Sequence, residues 1–285
     1  MRLFGLTVAT LIAFAANSVL NRAALADQAM DPATFTVIRM ISGALMLAGI
    51  IAAQRTAPRT VLANGSFTSA AALLIYAVTF SFAYVTLDAG MGALVLFGGV
   101  QLTMFAGSVL RGRMPGPWHW AGSALGLCGL ALLFLPGSET PSSLGVTLML
   151  IAAAAWGIYS LRGQSATFPL RATAANFILA APVSLLLILV VSAPPTLAGT
   201  ALAVASGALA SGLGYAIWYS VLPRLEASLA AIAQLTVPII ALAGGILFLG
   251  ERPTSTFGLA STLILGGVAL AVLGPRLRSA KRHPE

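Results

Sequence analysis

Three side-chain chemistries recur inside the apolar stretches of this sequence: aromatic rings, carboxamides and one guanidinium. Tyr76, Phe80 and Tyr84 stand at i, i+4 and i+8, and Ser211, Tyr215 and Tyr219 repeat that spacing with Trp218 beside them. Each set shares one side of a helix. Such a face either lines a cavity that takes apolar or aromatic groups by stacking and edge contacts, or fills a contact between helices. Asn17, Gln101 and Gln234 lie mid-stretch, and Trp156 stands where a comparison of the two halves places Asn17. An unpartnered carboxamide in hydrocarbon costs about 2–7 kcal/mol, so each must meet a neighbouring helix or a solvated ligand. Arg39 is the one charge well inside an apolar stretch, about 10 Å past Pro32 at about 1.5 Å per residue. It either clamps an anionic group or anchors its helix through Asp27, Asp31 or backbone carbonyls.

The chemistry that is missing narrows the class. His119 and His283 are the two histidines, and no H-E-x-x-H, Walker P-loop or Asp-rich run occurs. The chain therefore has no basis for a zinc hydrolase, a magnesium-diphosphate enzyme or an ATP-driven machine, and neither cofactor nor metal is expected. Cys128 is the only cysteine, so there is no intrachain disulfide. Asp27, Asp31, Asp88, Glu139, Glu226, Glu251 and Glu285 all fall in loops, at the ends of apolar stretches or in the tail.

The elements that must position these groups follow from composition. Of 285 residues, 59% are hydrophobic and 8% are charged, against about 45–50% and about 25% in soluble domains. So little charge cannot clothe a water-soluble body, and continuous Leu- and Ala-rich runs argue against a β-barrel. The expectation is an all-α integral membrane protein of ten transmembrane helices. They run roughly over 3–21, 33–53, 68–87, 91–110, 118–136, 144–162, 172–192, 199–221, 227–249 and 255–273. Ala24-Leu25-Ala26 imitates a signal-peptide cleavage site. The apolar run before it is long for an h-region and Asn21 and Arg22 intervene, so the first stretch is read as a retained span.

The chain also repeats itself. Leu11 to Ser18 aligns with Leu150 to Gly157, Tyr84 with Tyr219, and Gln101-Leu102-Thr103 with Gln234-Leu235-Thr236, at offsets of 139, 135 and 133. Residues 1–138 and 139–285 thus form two five-helix repeats, integrated in one membrane domain. An odd number of spans per repeat inserts the second half upside down, and inverted repeats are the architecture of alternating-access carriers. Arg2, Arg55, Arg59, Arg111, Arg113, Arg162, Arg171, Arg224, Arg276, Arg278, Lys281 and Arg282 fall on one side and only Arg22 and Arg252 on the other. Basic loops stay in the cytoplasm, so both termini are expected there, in the cytoplasmic (inner) membrane. The formal charge of +8 is read as this orientation signal and not as a nucleic-acid footprint.

Ala230-Ala231-Ile232-Ala233-Gln234-Leu235-Thr236-Val237-Pro238, running on to Phe248-Leu249-Gly250-Glu251-Arg252, resembles the second-half signature of the EamA family in the drug/metabolite transporter superfamily. Leu150 to Arg162, with Trp156-Gly157 and Tyr159, and Asp31-Pro32 ahead of Arg39 are similar to its other recurring pieces. The first half departs from the pattern: Met104 stands where Pro is expected after Gln-Leu-Thr, and Arg113 where Glu is expected. The aromatic-rich interior resembles the YddG-type aromatic amino-acid exporters. The resemblance implies a permease exporting small amphipathic metabolites, foremost neutral and aromatic amino acids, with Tyr159 joining the candidate contacts. The expected partners are that substrate and membrane lipid, with a monomer or weak homodimer as the assembly. A permease for another metabolite or drug, a channel-like facilitator and a lipid flippase are the alternatives. With no carboxylate mid-membrane to carry a proton, passive or exchange transport is expected.

Overall fold

The computed structural model describes residues 2–26, 30–112, 114–135, 141–164, 166–191, 194–225 and 233–280, among which every regular element is helical. Asp27, Arg113, Glu139, Glu226, Lys281, Arg282, His283, Glu285 and the Ala230-Ala231-Ile232 start of the signature lie outside the described residues. The first half contains α1 (Arg2–Leu25), α2 (Pro32–Ala53), the short α3 (Pro58–Leu62), α4 (Phe67–Ala83), α5 (Ala89–Leu110) and α6 (Pro117–Leu132). The second contains α7 (Ser143–Gly163), α8 (Pro169–Ser184), α9 (Leu197–Val204), α10 (Gly214–Val221), α11 (Val237–Leu249) and α12 (Ser255–Ala280).

Local chemistry sets the boundaries. The Asp31 carboxylate accepts the N–H groups of Ala33 and Thr34 at 2.8 and 3.2 Å, with Pro32 pre-set for the first turn of α2. Ser142 and Thr196 cap α7 and α9 in the same way, accepting from Gly145 and Gly199 at 3.3 and 3.0 Å. Pro182 has no N–H for the carbonyl of Ile178, and three residues later α8 tightens into a 3-10 stretch over Leu185–Val190. Between α9 and α10 the chain is π-helical over Ala205–Leu213, a wide-turn geometry that often marks functional positions.

Among the described residues seven segments are long and apolar enough to cross a bilayer: Arg2–Leu25, Pro32–Ala53, Ala89–Leu110, Ser143–Gly163, Pro169–Val190, Leu197–Val221 and Ser255–Gly274. Phe67–Ala83 and Val237–Leu249 are shorter apolar helices, and α6 has 16 residues. The third expected span stops early because residues 84–87 leave the helix as turns. The ninth is cut because Pro238 cannot donate to the carbonyl of Gln234, so that a turn at Leu235-Thr236 separates the helical Ala233-Gln234 from α11. Leu110, Leu189, Leu197 and Phe248 are 87, 84, 88 and 79% exposed, an apolar surface suited to lipid. The chain is a multi-pass helical membrane protein.

Packing is cross-connected. α7 lies against α4 and α5, while α1 lies against α9, the π segment, α10 and α11. α2 packs on the π segment and on α8, α4 on α8, α5 on α11, and α6 on α12. The α2 contact with the π segment is set by Gly207, where a Cβ would run into Ser42 Oγ and the carbonyl of Arg39. Gly207→Val is therefore expected to destabilise the protein by about 1–3 kcal/mol through overpacking, read as a fall in unfolding temperature in detergent. An unchanged midpoint would contradict this packing.

Candidate functional site

Two turns of α4 and one side of α7 begin the site. Tyr76 and Phe80 are one turn apart with ring centroids 5.2 Å apart, and Tyr76 meets Trp156 of α7 at 4.9 Å. Trp156 stacks on Tyr215 of α10 at 5.2 Å and 23°, and Phe14 of α1 then meets Tyr215 and Trp218 at 5.7 and 5.8 Å. These rings enclose a cavity of about 510 Å³, to which Asn17, Ser18, Gln101, Ser160, Gln164, Tyr219 and Gln234 add polar edges. Its lining continues to Gly163, Gln164 and Pro169, so it extends to the end of the bundle where α7 passes to α8. Among the described residues no lining residue is charged, and the arrangement suits stacking on a flat group with hydrogen bonds at its rim.

Beneath the rings runs a buried polar chain. Arg39 Nη2 donates to the Tyr76 hydroxyl oxygen at 3.1 Å, and Asn17 Nδ2 to the same oxygen at 3.4 Å. Ser206 Oγ of the π segment donates to Asn17 Oδ1 at 2.6 Å, and Ser81 Oγ donates to Asn21 Oδ1 at 3.2 Å. Asn21 Nδ2 completes the chain on the Asn17 carbonyl at 2.7 Å. Four helical segments are thereby tied together by direct hydrogen bonds.

The opposite end of the bundle is latched. Arg22 donates to the carbonyls of Tyr84 and Val85 at 3.2 and 3.1 Å, and its guanidinium faces Asp88 at 3.4 Å and Glu251 at 3.6 Å. Both Glu251 oxygens accept the first N–H of α5, that of Ala89, at 2.9 and 3.0 Å, placing an anion at a helix N-terminus. Glu251 reaches this position because Gly250 adopts φ of 67° at the end of α11, and because Gly245 leaves room for the carboxylate. Burial pushes the Glu251 carboxyl above its ordinary value, opposed by the Ala89 hydrogen bond and the Arg22 charge.

The structure brings together nine of the residues named from sequence: Asn17, Tyr76, Phe80, Gln101, Trp156, Tyr215, Trp218, Tyr219 and Gln234 all line the cavity. Tyr84 does not. It is fully buried under the latch with its hydroxyl donating to the Ala89 carbonyl at 3.4 Å, because eight residues carry it about 12 Å along the axis beyond Tyr76. Tyr159 does not line it either: its ring stacks on Trp156 at 5.3 Å, and it donates to Thr173 Oγ1 at 3.1 Å and borders a polar pocket of about 330 Å³ with Arg111 and Arg162. Arg39 stands behind Tyr76 and is 2% exposed. Sequence reasoning missed Phe14, Ser18 and Phe97 of the lining, and the latch. Asn21, one turn after Asn17, was the available signal for the buried chain. A second cavity of about 400 Å³ lies between α5, α6 and α12 and shares Gln101 and Met104 with the first. No group of three His, Cys, Asp or Glu able to hold a metal occurs among the described residues.

A multi-pass helical body around an uncharged, ring-walled cavity defines a binder of small molecules within a membrane. Residues 143–273 match the EamA-like transporter family. The chain is 48% identical over 280 residues to an uncharacterized protein of Pseudomonas aeruginosa, covering 98% of this chain and 96% of that one. It is 29% identical over 238 residues to a probable amino-acid metabolite efflux pump of Escherichia coli, covering 73% of this chain and 78% of the pump. A solved crystal structure shares the fold with a TM-score of 0.63 at 22% identity, over 94% of this chain and 99% of that chain. The second half of the chain thus matches a family of transporters, not of enzymes.

The latch makes a direct prediction. In a Cys128→Ser background, a cysteine placed at Ser18 is expected to react slowly with a membrane-impermeant thiol reagent added at the latched end. Glu251→Ala or Gly245→Ala should accelerate that reaction severalfold. Equal rates in all three proteins would show that the latch does not close this end.

Proposed function

We propose that the protein is a secondary carrier that exports small amphipathic metabolites, foremost neutral and aromatic amino acids, by alternating access through the ring-walled cavity. The observation that carries the reading is that cavity, to which α1, α4 and α5 contribute from one half and α7, α8 and α10 from the other. Asn17, Tyr76, Phe80, Gln101, Trp156, Tyr215, Trp218, Tyr219 and Gln234 are the proposed substrate contacts, with Arg39 behind them.

The carrier is read as ten spans in two inverted repeats, 1–138 and 139–285. Exchange α1 with α7, α2 with α8, α4 with the α9 to α10 segment, α5 with α11 and α6 with α12, and the packing pairs largely map onto themselves. This exchange supports the repeat reading. Charge supports the orientation with both termini in the cytoplasm. Arg111 and Arg162 share the pocket at one end, while Asp88 and Glu251 gather with Arg22 and Arg252 at the other. In that orientation the latch closes the outer end of an inner (cytoplasmic) membrane protein, and the cavity extends to the cytoplasmic end. The amino-acid reading is in keeping with the relative named as an amino-acid metabolite efflux pump.

Reconstitution into liposomes tests the proposal. Saturable counterflow of labelled phenylalanine or tryptophan is expected, at rates independent of an imposed pH gradient. Trp218→Ala should weaken aromatic substrates by about 0.5–1.5 kcal/mol, the worth of one ring contact, and leave threonine and alanine nearly unchanged. Non-saturable flux would point to a channel, indifference to soluble amino acids to a flippase, and strict dependence on the gradient to proton coupling.

A further inference from the structure

The most unusual group in the interior is Arg39. It is 2% exposed, and none of the ion pairs among the described residues includes it. Its guanidinium carbon lies 5.2 Å from the centroid of Tyr76 and 4.9 Å from that of Phe80, so two ring faces supply part of the missing counter-charge. Nη2 is used on the Tyr76 hydroxyl, while Nη1 is buried without a hydrogen-bond partner. A cation held among two rings and one hydroxyl keeps most of its field, which in a low-dielectric body reaches the adjoining cavity. The backbone holds it there. The Arg39 carbonyl sits at the Gly207 crossing and accepts the Ser42 hydroxyl at 3.2 Å.

Tyr76 connects this charge to the cavity it lines. Its oxygen accepts from Arg39 and from Asn17, which occupies both lone pairs and leaves its own proton for a third group. Among its contacts, Phe80 and the Trp156 indole offer no acceptor, and Asn17 Oδ1 already receives Ser206 at 2.6 Å and Asn21 at 3.3 Å. A donor hydroxyl polarised by a buried guanidinium, on a ring that lines a cavity with no acidic residue among the described residues of its lining, favours an anionic acceptor over a cation.

We infer that the ligand of the central cavity carries a carboxylate, received by the Tyr76 O–H, with Arg39 as the positioning residue behind it, and that organic cations are rejected. The inference rests on the carrier reading of this cavity and names the substrate class within it. It separates amino acids and aryl carboxylates from cationic drugs, a distinction that ring stacking alone does not make.

The test uses three probes of matched shape, 3-phenylpropionate, 3-phenylpropanamide and 3-phenylpropylammonium, binding to the purified full chain in detergent. Tryptophan fluorescence and the shift in unfolding temperature provide the readouts. The wild type is expected to bind the carboxylate about tenfold or more tighter than the amide, as a charge-assisted hydrogen bond requires, and the ammonium more weakly still. Tyr76→Phe and Arg39→Gln should reduce the carboxylate advantage to within about twofold by weakening the carboxylate much more than the amide, and Arg39→Lys should keep part of it. A merely structural role for Arg39 would weaken all three probes together. If Arg39→Gln does not fold, the wild-type series and Tyr76→Phe decide. The inference is overturned if the amide or ammonium binds the wild type as tightly as the carboxylate, if no probe binds, or if Tyr76→Phe keeps the full advantage. Phenylalanine counterflow measured in parallel separates the two readings. Carboxylate preference without counterflow would sink the carrier and leave this inference standing; counterflow without carboxylate preference would do the reverse.

Discussion

The hydrogen-bonded chain from Arg39 through Tyr76, Asn17 and Ser206 to Asn21 and Ser81 is the constraint around which the rest of the interior is arranged. In a body surrounded by hydrocarbon no water is at hand to satisfy a buried amide or guanidinium, so every polar atom left alone costs several kcal/mol. The chain meets that demand across α1, α2, α4 and the π segment for its groups other than Arg39 Nη1. Each of those helices is consequently fixed in rotation, and the rings of Tyr76 and Phe80 are aimed at the cavity as a result. The close crossing at Gly207 belongs to the same arrangement, since only a residue without a side chain lets α2 and the π segment approach closely there.

The two ends of the molecule are built differently, and that asymmetry carries the functional reading. One end is tied by charge: Arg22 bridges Glu251, Asp88 and the carbonyls after α4, and Glu251 sits on the first N–H of α5. Toward the other end the cavity continues past Gly163 and Pro169. The two helices that carry Gln101 and Gln234 differ in the same sense. α5 runs unbroken through Gln101, whereas Pro238 has no N–H for the Gln234 carbonyl. Discontinuous helices at the binding site are a recurring device of carriers. Only the second half carries a proline there, since at the offset of 133 Phe105 stands at the position of Pro238.

Much of this was legible in the residues. Hydropathy identified the helical membrane body, and internal similarity paired Asn17 with Trp156 and Gln101 with Gln234, all four of which line the cavity. The errors have physical causes. Tyr84 ends the helix that carries Tyr76 and lies a further two turns along the axis, and a cavity is bounded in that direction as a helical wheel is not. Tyr159 follows Trp156 by three residues and stacks on it, yet its hydroxyl is drawn to Thr173 of α8. Span counting overestimated the helices around Tyr84 and Pro238, where turns and a missing N–H interrupt otherwise apolar stretches. The latch was beyond reach because Arg22, Asp88 and Glu251 are far apart in the chain, and only the packing of α1, α5 and α11 brings them into one cluster.

An alternating-access account requires the latched end to open during every cycle. The most direct measurement joins that end covalently: Arg22→Cys and Glu251→Cys in a Cys128→Ser background, cross-linked with a bifunctional thiol reagent, followed in liposomes by exchange of a labelled aromatic amino acid. The account predicts that cross-linking abolishes exchange while binding, read by tryptophan fluorescence, persists from the other end. Undiminished exchange by fully cross-linked protein would contradict it.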